Sequence, residues 1–263
     1  MKKEVPGDMF YKKKLKFKSH KEAEKYYENK WKKEGYKKGW KCFGMNISNR
    51  FDKARKQSAI KFLNPKKRDI ILDAGCGRGD VSLKIAKKAK KIYAIDIAKS
   101  GFEKIKKNSP KNLIFKKMNI ENLKFKEETF DKIVCIETLE HVLHPEKAIS
   151  EMKRVLKKQG IIVLSYPTID TSIMAKVDHF LGIEKPCNIT EHITEWNYNQ
   201  VISKFEKQGF KLIKSEGIVF NIGVIGKLKK TSKSIAKIIF DIQLSIKNFP
   251  RNSTFVTFKF QRL

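Results

Sequence analysis

The amino-acid sequence predicts an α/β protein whose strands and helices alternate along a doubly wound sheet. A short apolar run at residues 70–72 has too few residues for a helix, ends at Asp73 and is followed at once by alternating glycines. From Val81 onward, apolar residues recur about every fourth position, which is typical of one face of a helix. Further apolar runs alternate with helical patterns towards the C-terminus. We therefore expect one sheet with helices on both faces.

The glycine-rich turn after the first strand predicts a ligand-binding loop. Gly75, Gly77 and Gly79 have no Cβ atom, so the backbone can adopt positive φ and a ligand can lie against it. A strand, a glycine turn and a helix N-terminus together form a nucleotide-type cradle. The dinucleotide fingerprint requires a glycine at position 80, where this chain has Asp80, and no triphosphate-binding Gly-Lys-Ser or Gly-Lys-Thr is present. The carboxylate of Asp73 suits a ligand with a cationic amino group better than a pyrophosphate.

This loop resembles the first motif of the class I S-adenosylmethionine (SAM)-dependent methyltransferases, and the resemblance extends over residues 52–215. Strands at 91–96, 113–115 and 130–136 follow in the order of that family. In motif, the chain is most similar to the small-molecule enzymes of the ubiquinone-biosynthesis type, or methyltransferase type 11. The resemblance implies SAM as cofactor and a Rossmann-like methyltransferase fold with a seven-stranded sheet, whose last strand is antiparallel.

The same resemblance implies cofactor-binding roles for residues at the ends of four strands. Asp96 ends the second strand, where the hydroxyl pair of a ribose would lie. Asn119 follows the third strand, where the family contacts adenine, and Glu137 follows the fourth, which faces the methyl donor. The predicted cofactor-binding residues are Asp73, Ala74, Gly75, Cys76, Gly77, Gly79, Asp96, Ile97, Asn119, Ile120 and Glu137.

The later elements complete the predicted sheet. Pro145 and Gly160 bracket a helix with one apolar face. Thr194 is the predicted cap of a further helix that ends at Gly209. The fifth, sixth and seventh strands are predicted at residues 161–166, 210–213 and 254–260.

We expect one SAM-binding methyltransferase domain, residues 51–263, preceded by an N-terminal helical segment, residues 1–50. Ser19 and Glu22 fit a capping box, and aromatic residues follow at helical spacing. Two interpretations of the segment stay open: a lid or cap over the substrate, or a helix that packs on the domain. The aromatic residues assigned to a lid are Tyr26, Tyr27, Trp31 and Trp40.

Residues 217–252 are longer than a hairpin between the last two strands requires and predict a helical insertion. The isoleucines of its apolar face are Ile235, Ile238, Ile239, Ile242 and Ile246. With lysines among its polar positions, such a helix suits peripheral contact with an anionic membrane or the wall of an apolar pocket. A helix that covers the core is the alternative. Because neither a signal peptide nor an apolar run of about 20 residues is visible, we expect a cytoplasmic protein, with peripheral membrane attachment left open.

The chain is strongly basic, with 59 Lys and Arg against 28 acidic residues and a net charge of +31. Such a charge attracts nucleic acid. Seven of the basic residues are Arg, the residue preferred for phosphate and base recognition, and the lysines are spread along the whole chain. We therefore expect a small-molecule or lipid-like partner in preference to nucleic acid. The cysteines Cys42, Cys76, Cys135 and Cys187 lack metal-type spacing and are predicted to be reduced thiols.

Methyl transfer from a sulfonium requires alignment of acceptor and donor and, for some acceptors, removal of a proton. His141 is the predicted catalytic base, because it follows the fourth strand near the donor. The run Glu137-x-x-Glu140-His141 also resembles that of the ubiquinone-biosynthesis O-methyltransferases, whose matching residues are associated with a divalent metal ion. For Glu137, a place in the wall of the donor site is the preferred alternative.

The sequence therefore predicts a SAM-dependent methyltransferase that acts on a small-molecule or lipid-like acceptor in a biosynthetic pathway. One alternative is an RNA methyltransferase, which the net charge favours. Another is a catalytically silent, membrane-associated binding protein with the same fold.

Overall fold

A computed structural model of the chain describes residues 17–33, 47–168, 192–218, 250–253 and 255–263, together with positions 235, 238 and 242. Its strands are β1 (Ile70–Ala74), β2 (Lys91–Asp96), β3 (Leu113–Lys117), β4 (Phe130–Ile136), β5 (Leu156–Pro167), β6 (Phe210–Ile218) and β7 (Phe255–Arg262). They form one sheet in the order β3-β2-β1-β4-β5-β7-β6. β1 to β5 pair in parallel, whereas β7 pairs antiparallel with both β5 and β6. The predicted fold class is confirmed, including the antiparallel last strand.

Helices cover both faces of this sheet. They are α1 (His20–Lys33), α2 (Ile47–Leu63), α3 (Asp80–Ala86), α4 (Glu103–Lys106), α5 (Pro145–Val155) and α6 (Tyr198–Lys207), with 3-10 turns at Lys99–Gly101, Leu139–His141 and Pro250–Asn252.

Neighbouring residues of the central strands point to opposite faces of the sheet and build two cores. Ile71 and Val134 pack with residues of α2 and α3 on one face. Leu72 and Cys135 pack with residues of α5 and α6 on the other. Because each strand alternates between two buried faces, central strands read as continuous apolar runs. The two cores fix the carboxyl ends of β1, β2 and β4 side by side at one edge of the sheet.

Two predicted boundaries are wrong. α6 is capped by Asn197, whose side chain accepts from the backbone N–H of Gln200 at 2.9 Å while the Gln200 side chain accepts from Asn197 at 2.9 Å. Thr194 lies three residues before this cap, outside α6, and its backbone N–H donates to the carbonyl of Glu140. Gly160 does not end α5: that helix stops at Val155, and β5 already begins at Leu156 and runs through Gly160.

The N-terminal segment contains the helix predicted there. The Ser19 hydroxyl accepts from the backbone N–H of Glu22 at 3.3 Å, and the Glu22 carboxylate accepts from the backbone N–H of Lys18 at 2.8 Å instead of closing the box on Ser19. The aromatic candidate Trp40 lies outside the described residues, as do Cys42 and Cys187.

Most of the predicted insertion also lies outside the described residues. Gly217 and Ile218 belong to β6, so the strand is longer than predicted. The three described isoleucines of the predicted apolar face, Ile235, Ile238 and Ile242, are each about half exposed. Within the part of the chain that the structure describes, no helix has the length and apolar character needed to cross a bilayer.

Candidate active site

The glycine loop between β1 and α3 has the backbone geometry that its sequence predicts. Gly75, Gly77 and Gly79 have φ angles of 81°, 50° and 75°, in the left-handed region that residues with a Cβ atom adopt at a cost. A Cβ atom on Gly75 would overlap the side chain of Thr138, whereas one on Gly77 would lie 3.2 Å from the Trp31 ring. The backbone of the loop therefore packs against Thr138 at Gly75 and against Trp31 of the N-terminal helix at Gly77.

Asp96, at the end of β2, binds the glycine loop through hydrogen bonds of its carboxylate. One carboxylate oxygen accepts from the backbone N–H of Gly77 at 2.8 Å, and the other from that of Ala98 at 3.0 Å. Burial raises the pKa of Asp96 to about 6, although both backbone hydrogen bonds oppose this. A carboxylate held in this way can still accept further hydrogen bonds from a pair of hydroxyls.

Asp73 lies at the end of β1 and is 2% exposed. The hydroxyl of Ser82, in the first turns of α3, donates to its carboxylate at 2.5 Å. Burial raises the pKa of Asp73 to about 6, the charge of Asp96 adds to this, and the Ser82 hydrogen bond opposes it. Two carboxylates with raised pKa values thus lie on either side of the glycine loop, where a cationic ligand would favour their ionised forms.

A cavity of about 460 Å³ opens over this edge of the sheet. Its volume lies within the range of about 300–1,000 Å³ that is usual for ligand pockets. The predicted site residues that line it are Asp73, Gly75, Cys76, Gly77, Asp96, Ile97, Asn119, Ile120, Glu137 and His141. Ala74 and Gly79, which were also predicted, are not among the lining residues, and Ala74 is fully buried behind the loop.

Helix α1 forms one wall of the cavity through Ala23, Tyr27 and Trp31. Its Glu28 carboxylate accepts from the backbone N–H groups of Lys99 and Ser100, at 2.7 and 3.3 Å, just after β2.

At a second point, His20 Nε2 lies 2.8 Å from a carboxylate oxygen of Glu121, which follows β3. Lys117 and Glu24 form a third contact at 2.5 Å. The aromatic residues of α1 are thus held against the glycine loop by contacts with the two neighbouring strand ends.

At the far end of the cavity, Glu137 occupies a position that sequence reasoning described incompletely. Its φ is 48°, and its carboxylate accepts from the Ser165 hydroxyl at 2.7 Å and lies 2.6 Å from the Arg55 guanidinium. Arg55 and the nearby Lys56 come from α2 and also line the cavity. Their role was missed, because a charged helix position carries no signal in the sequence that identifies its partner.

Glu140 and His141 follow in the 3-10 turn after β4, and the structure brings His192 to them from the segment before α6. Nε2 of His141 lies 3.7 Å from a carboxylate oxygen of Glu140, and Nε2 of His192 lies 4.0 Å from the same oxygen. Burial raises the pKa of Glu140 well above its usual range, and the charge of Glu137 adds to this. Glu137 is not part of this cluster, although the sequence grouped it with Glu140 and His141.

An open, mostly parallel sheet with a glycine loop and two acidic strand ends defines a nucleotide-type cofactor site. A family model described as a methyltransferase domain matches residues 72–164. A ubiquinone biosynthesis O-methyltransferase of Pelagibacter ubique is 30% identical over 168 residues, which cover 60% of this chain and 68% of that protein. An uncharacterized protein of Methanocaldococcus jannaschii is 29% identical and covers 76% of this chain and 80% of its own length.

Among solved structures, the 1,6-didemethyltoxoflavin-N1-methyltransferase of Burkholderia thailandensis, determined with S-adenosylhomocysteine, has a TM-score of 0.54 at 12% identity. The match covers 81% of this chain and 77% of that one, and it supports the fold. Taken with the sequence relatives, these matches show that the chain belongs to the class I SAM-dependent methyltransferases. It is therefore a methyltransferase with SAM as its cofactor.

Proposed function

We propose that this methyltransferase transfers the SAM methyl group to a small, lipid-like acceptor that enters the cavity beside His141 and Tyr27. The observation that carries the proposal is the continuation of the cavity past the glycine loop. Its far end is lined by apolar residues as well as ionisable ones, namely Tyr27, Ile136, Val142 and Leu143 together with Arg55, Glu137 and His141. A relative named for ubiquinone biosynthesis supports an acceptor of this class.

The residues of the glycine loop and its flanking strands are assigned to the cofactor. Asp96 would hold the ribose hydroxyls, and Asn119 and Ile120 the adenine, because these residues line the cavity beyond β2 and β3. Asp73 would attract the cationic end of the cofactor towards Gly75. When bound, SAM supplies a methyl group on a positively charged sulfur, which is already an activated leaving group.

His141 is assigned to the acceptor proton. It is partly exposed, lines the cavity and follows β4, whose end would face the donor. Replacement by alanine is expected to lower kcat by about 100-fold or more while leaving SAM affinity unchanged, because general acid–base groups contribute about 10²–10⁴-fold. Steady-state kinetics and calorimetry with SAM measure the two quantities. An equal loss of both would contradict this assignment.

Helix α1 is assigned to a cap over the bound cofactor, as part of the proposed N-terminal segment 1–50. Support comes from the position of Trp31 against Gly77 and from the contacts of Glu28 and His20 with the neighbouring strand ends. Such a cap excludes water from the reacting centre and holds the donor in place.

The acceptor class is tested with SAM carrying an isotopically labelled methyl group. The full chain is incubated with separated small-molecule, lipid and RNA fractions of an extract, and products are identified by mass spectrometry. The Asp96→Asn variant serves as the control with weakened cofactor binding. Label in a small molecule or lipid supports the proposal, and label in RNA would replace it by the RNA methyltransferase that the net charge of +31 favours. Binding of SAM without any labelled product would contradict it.

A further inference from the structure

Glu140 is an unusual carboxylate for the interior of a protein. Its side chain is completely buried, and neither carboxylate oxygen accepts a hydrogen bond from any residue in the described part of the chain. A buried carboxyl group without hydrogen bonds costs several kcal/mol unless a charge or a metal ion compensates it. A cation beside Glu140 would therefore stabilise the ionised form of this carboxylate.

Two imidazole nitrogens lie at a distance from this carboxylate that suits a shared metal ion better than direct hydrogen bonds. The Nε2 atoms of His141 and His192 are 3.7 and 4.0 Å from Oε1 of Glu140, beyond hydrogen-bond length. Around a tetrahedral Zn²⁺ with bonds of about 2.1 Å, ligand atoms are separated by about 3.4 Å. The ligand atoms of the three residues all lie within 4.8 Å of one another. Small side-chain movements would thus bring them to ligand distance.

The backbone holds the three residues together independently of any ion. The N–H groups of Ile193 and Thr194 donate to the carbonyl of Glu140 at 2.8 and 3.1 Å, which fixes the segment after His192 to the 3-10 turn. The hydroxyl of Tyr166, on β5, donates to the carbonyl of Thr194 at 2.9 Å. Because these hydrogen bonds already fix the backbone that carries the three residues, we expect an ion to bind without large backbone movement.

We propose that Glu140, His141 and His192 form a binding site for a divalent transition-metal ion, best matched by Zn²⁺. Two imidazoles and one carboxylate are a usual protein ligand set for a zinc ion that keeps one position open. His141 also lines the cavity, so the open position would face the acceptor. Glu137 is left out of the set, because Arg55 and Ser165 already bind its carboxylate.

A second cluster, His20, Glu121 and His144, provides an internal comparison. Its carboxylate is also buried, at 2% exposure, but it accepts from the backbone N–H groups of Leu143 and His144 at 3.0 and 3.2 Å and lies 2.8 Å from His20. This carboxylate is already compensated by the protein. We therefore expect the second cluster to anchor α1 without taking up metal.

The role of such a cation in methyl transfer rests on the proposed function. A divalent cation at this position would lower the pKa of an acceptor hydroxyl, which selects oxygen as the methylated atom. His141 would then promote loss of the acceptor proton indirectly, by holding the cation that lowers the pKa of the acceptor hydroxyl. His192 does not line the cavity and would influence methyl transfer by holding that cation.

Metal binding is tested directly on the tag-free full chain after removal of metals with a chelator. Zn²⁺ is titrated by competition calorimetry, and Co²⁺ is added in parallel because its visible spectrum reports the ligand geometry. The expected result is one equivalent of Zn²⁺ per chain, with affinity lowered at least tenfold in His192→Ala and in Glu140→Gln. The matched controls His144→Ala and Glu137→Gln should bind Zn²⁺ like the unmodified chain. Circular dichroism and thermal unfolding of each variant verify that it is folded.

Equal Zn²⁺ affinity of the unmodified chain and His192→Ala would overturn the site, as would absence of Zn²⁺ binding in an unmodified chain that binds SAM. Loss of Zn²⁺ binding in Glu137→Gln would replace the proposed ligand set by the one that the sequence grouped together. A chain that binds Zn²⁺ through His192 but labels no small molecule would contradict the proposed function and leave the metal site standing.

Discussion

The substitution Gly75→Ala tests whether the glycine loop is fixed by backbone conformation and by packing together. The new Cβ atom would overlap the Oγ1, Cγ2 and Cβ atoms of Thr138, and φ at this position is 81°. Gly209, after α6, offers a matched control because its φ is 77° and a Cβ atom there would meet mainly Nζ of Lys153, at 2.7 Å. That flexible side chain can move aside. The two variants therefore share the backbone penalty and differ in the steric one.

The expected magnitudes follow from this difference. An alanine in the left-handed region costs about 1–2 kcal/mol, which applies to both variants. Forcing a side chain out of a packed site adds about 1–3 kcal/mol, and this applies to Gly75→Ala alone. For a domain of this size, the additional cost corresponds to a further decrease in Tm of roughly 2–12 °C.

Thermal unfolding of the two variants measures the difference, and calorimetry with SAM measures its effect on the cofactor loop. Gly75→Ala is expected to lose most SAM affinity, whereas Gly209→Ala keeps it. The double variant Gly75→Ala/Thr138→Ala removes the two nearest clashing atoms and should recover part of the lost Tm relative to Thr138→Ala. If Gly75→Ala were no less stable than Gly209→Ala, the packing of the loop against Thr138 would be refuted.

Three further predictions concern charged groups of the site. Because the native state raises the pKa of Asp73 to about 6, the free energy of unfolding of the unmodified chain, relative to Asp73→Asn, should fall by about 3 kcal/mol as pH rises from about 3 to 7. SAM affinity should rise over the same range in the unmodified chain and change less in Asp73→Asn; parallel pH profiles would contradict this. Arg55→Met should lower the free energy of unfolding, measured with urea, by roughly 1–3 kcal/mol, because Glu137 loses its cation. The double variant Arg55→Met/Glu137→Gln should recover part of this loss. Strictly additive effects of the two substitutions would argue against coupling between the residues. Glu28→Ala should speed SAM dissociation about fivefold, from the loss of about 1 kcal/mol of hydrogen bonding. Glu24→Ala should have little effect, because its contact with Lys117 is an exposed ion pair and contributes little to holding α1. Equal dissociation rates of the two variants in stopped-flow experiments would argue against the cap.

The sequence was sufficient to predict which residues meet at the edge of the sheet. Asp73, Asp96, Asn119 and Glu137 each end or follow a strand, and parallel strands place their carboxyl ends at one edge. The prediction succeeded because strand positions follow from local apolar patterns, and the alternation of strands with helices implies that the strands are parallel. The cavity at this edge is lined by all four residues.

The pairings within the site could not be predicted in the same way. Arg55 and Glu137, or Glu140 and His192, are distant in sequence and come from elements of different type. Their contacts depend on how α2 and the segment before α6 pack on the sheet, and no short-range pattern records this. The misplaced cap has a related cause, since Thr194 and Asn197 are both suitable N-cap residues. Gln200 completes a capping box with Asn197, three residues before it, and the helix begins there.

The distribution of charge reconciles a strongly basic chain with a cationic cofactor. A net charge of +31 repels a sulfonium at long range, but screening in physiological salt limits that field to about 8 Å. Within this distance, the proposed cofactor position adjoins the carboxylates of Asp73 and Asp96, whose raised pKa values indicate that the protein alone compensates them poorly. A bound cation would supply the missing compensation. The lysines of the surface and the carboxylates of the cavity therefore act on different ligands, and added salt should weaken any association with anionic partners far more than it weakens SAM binding.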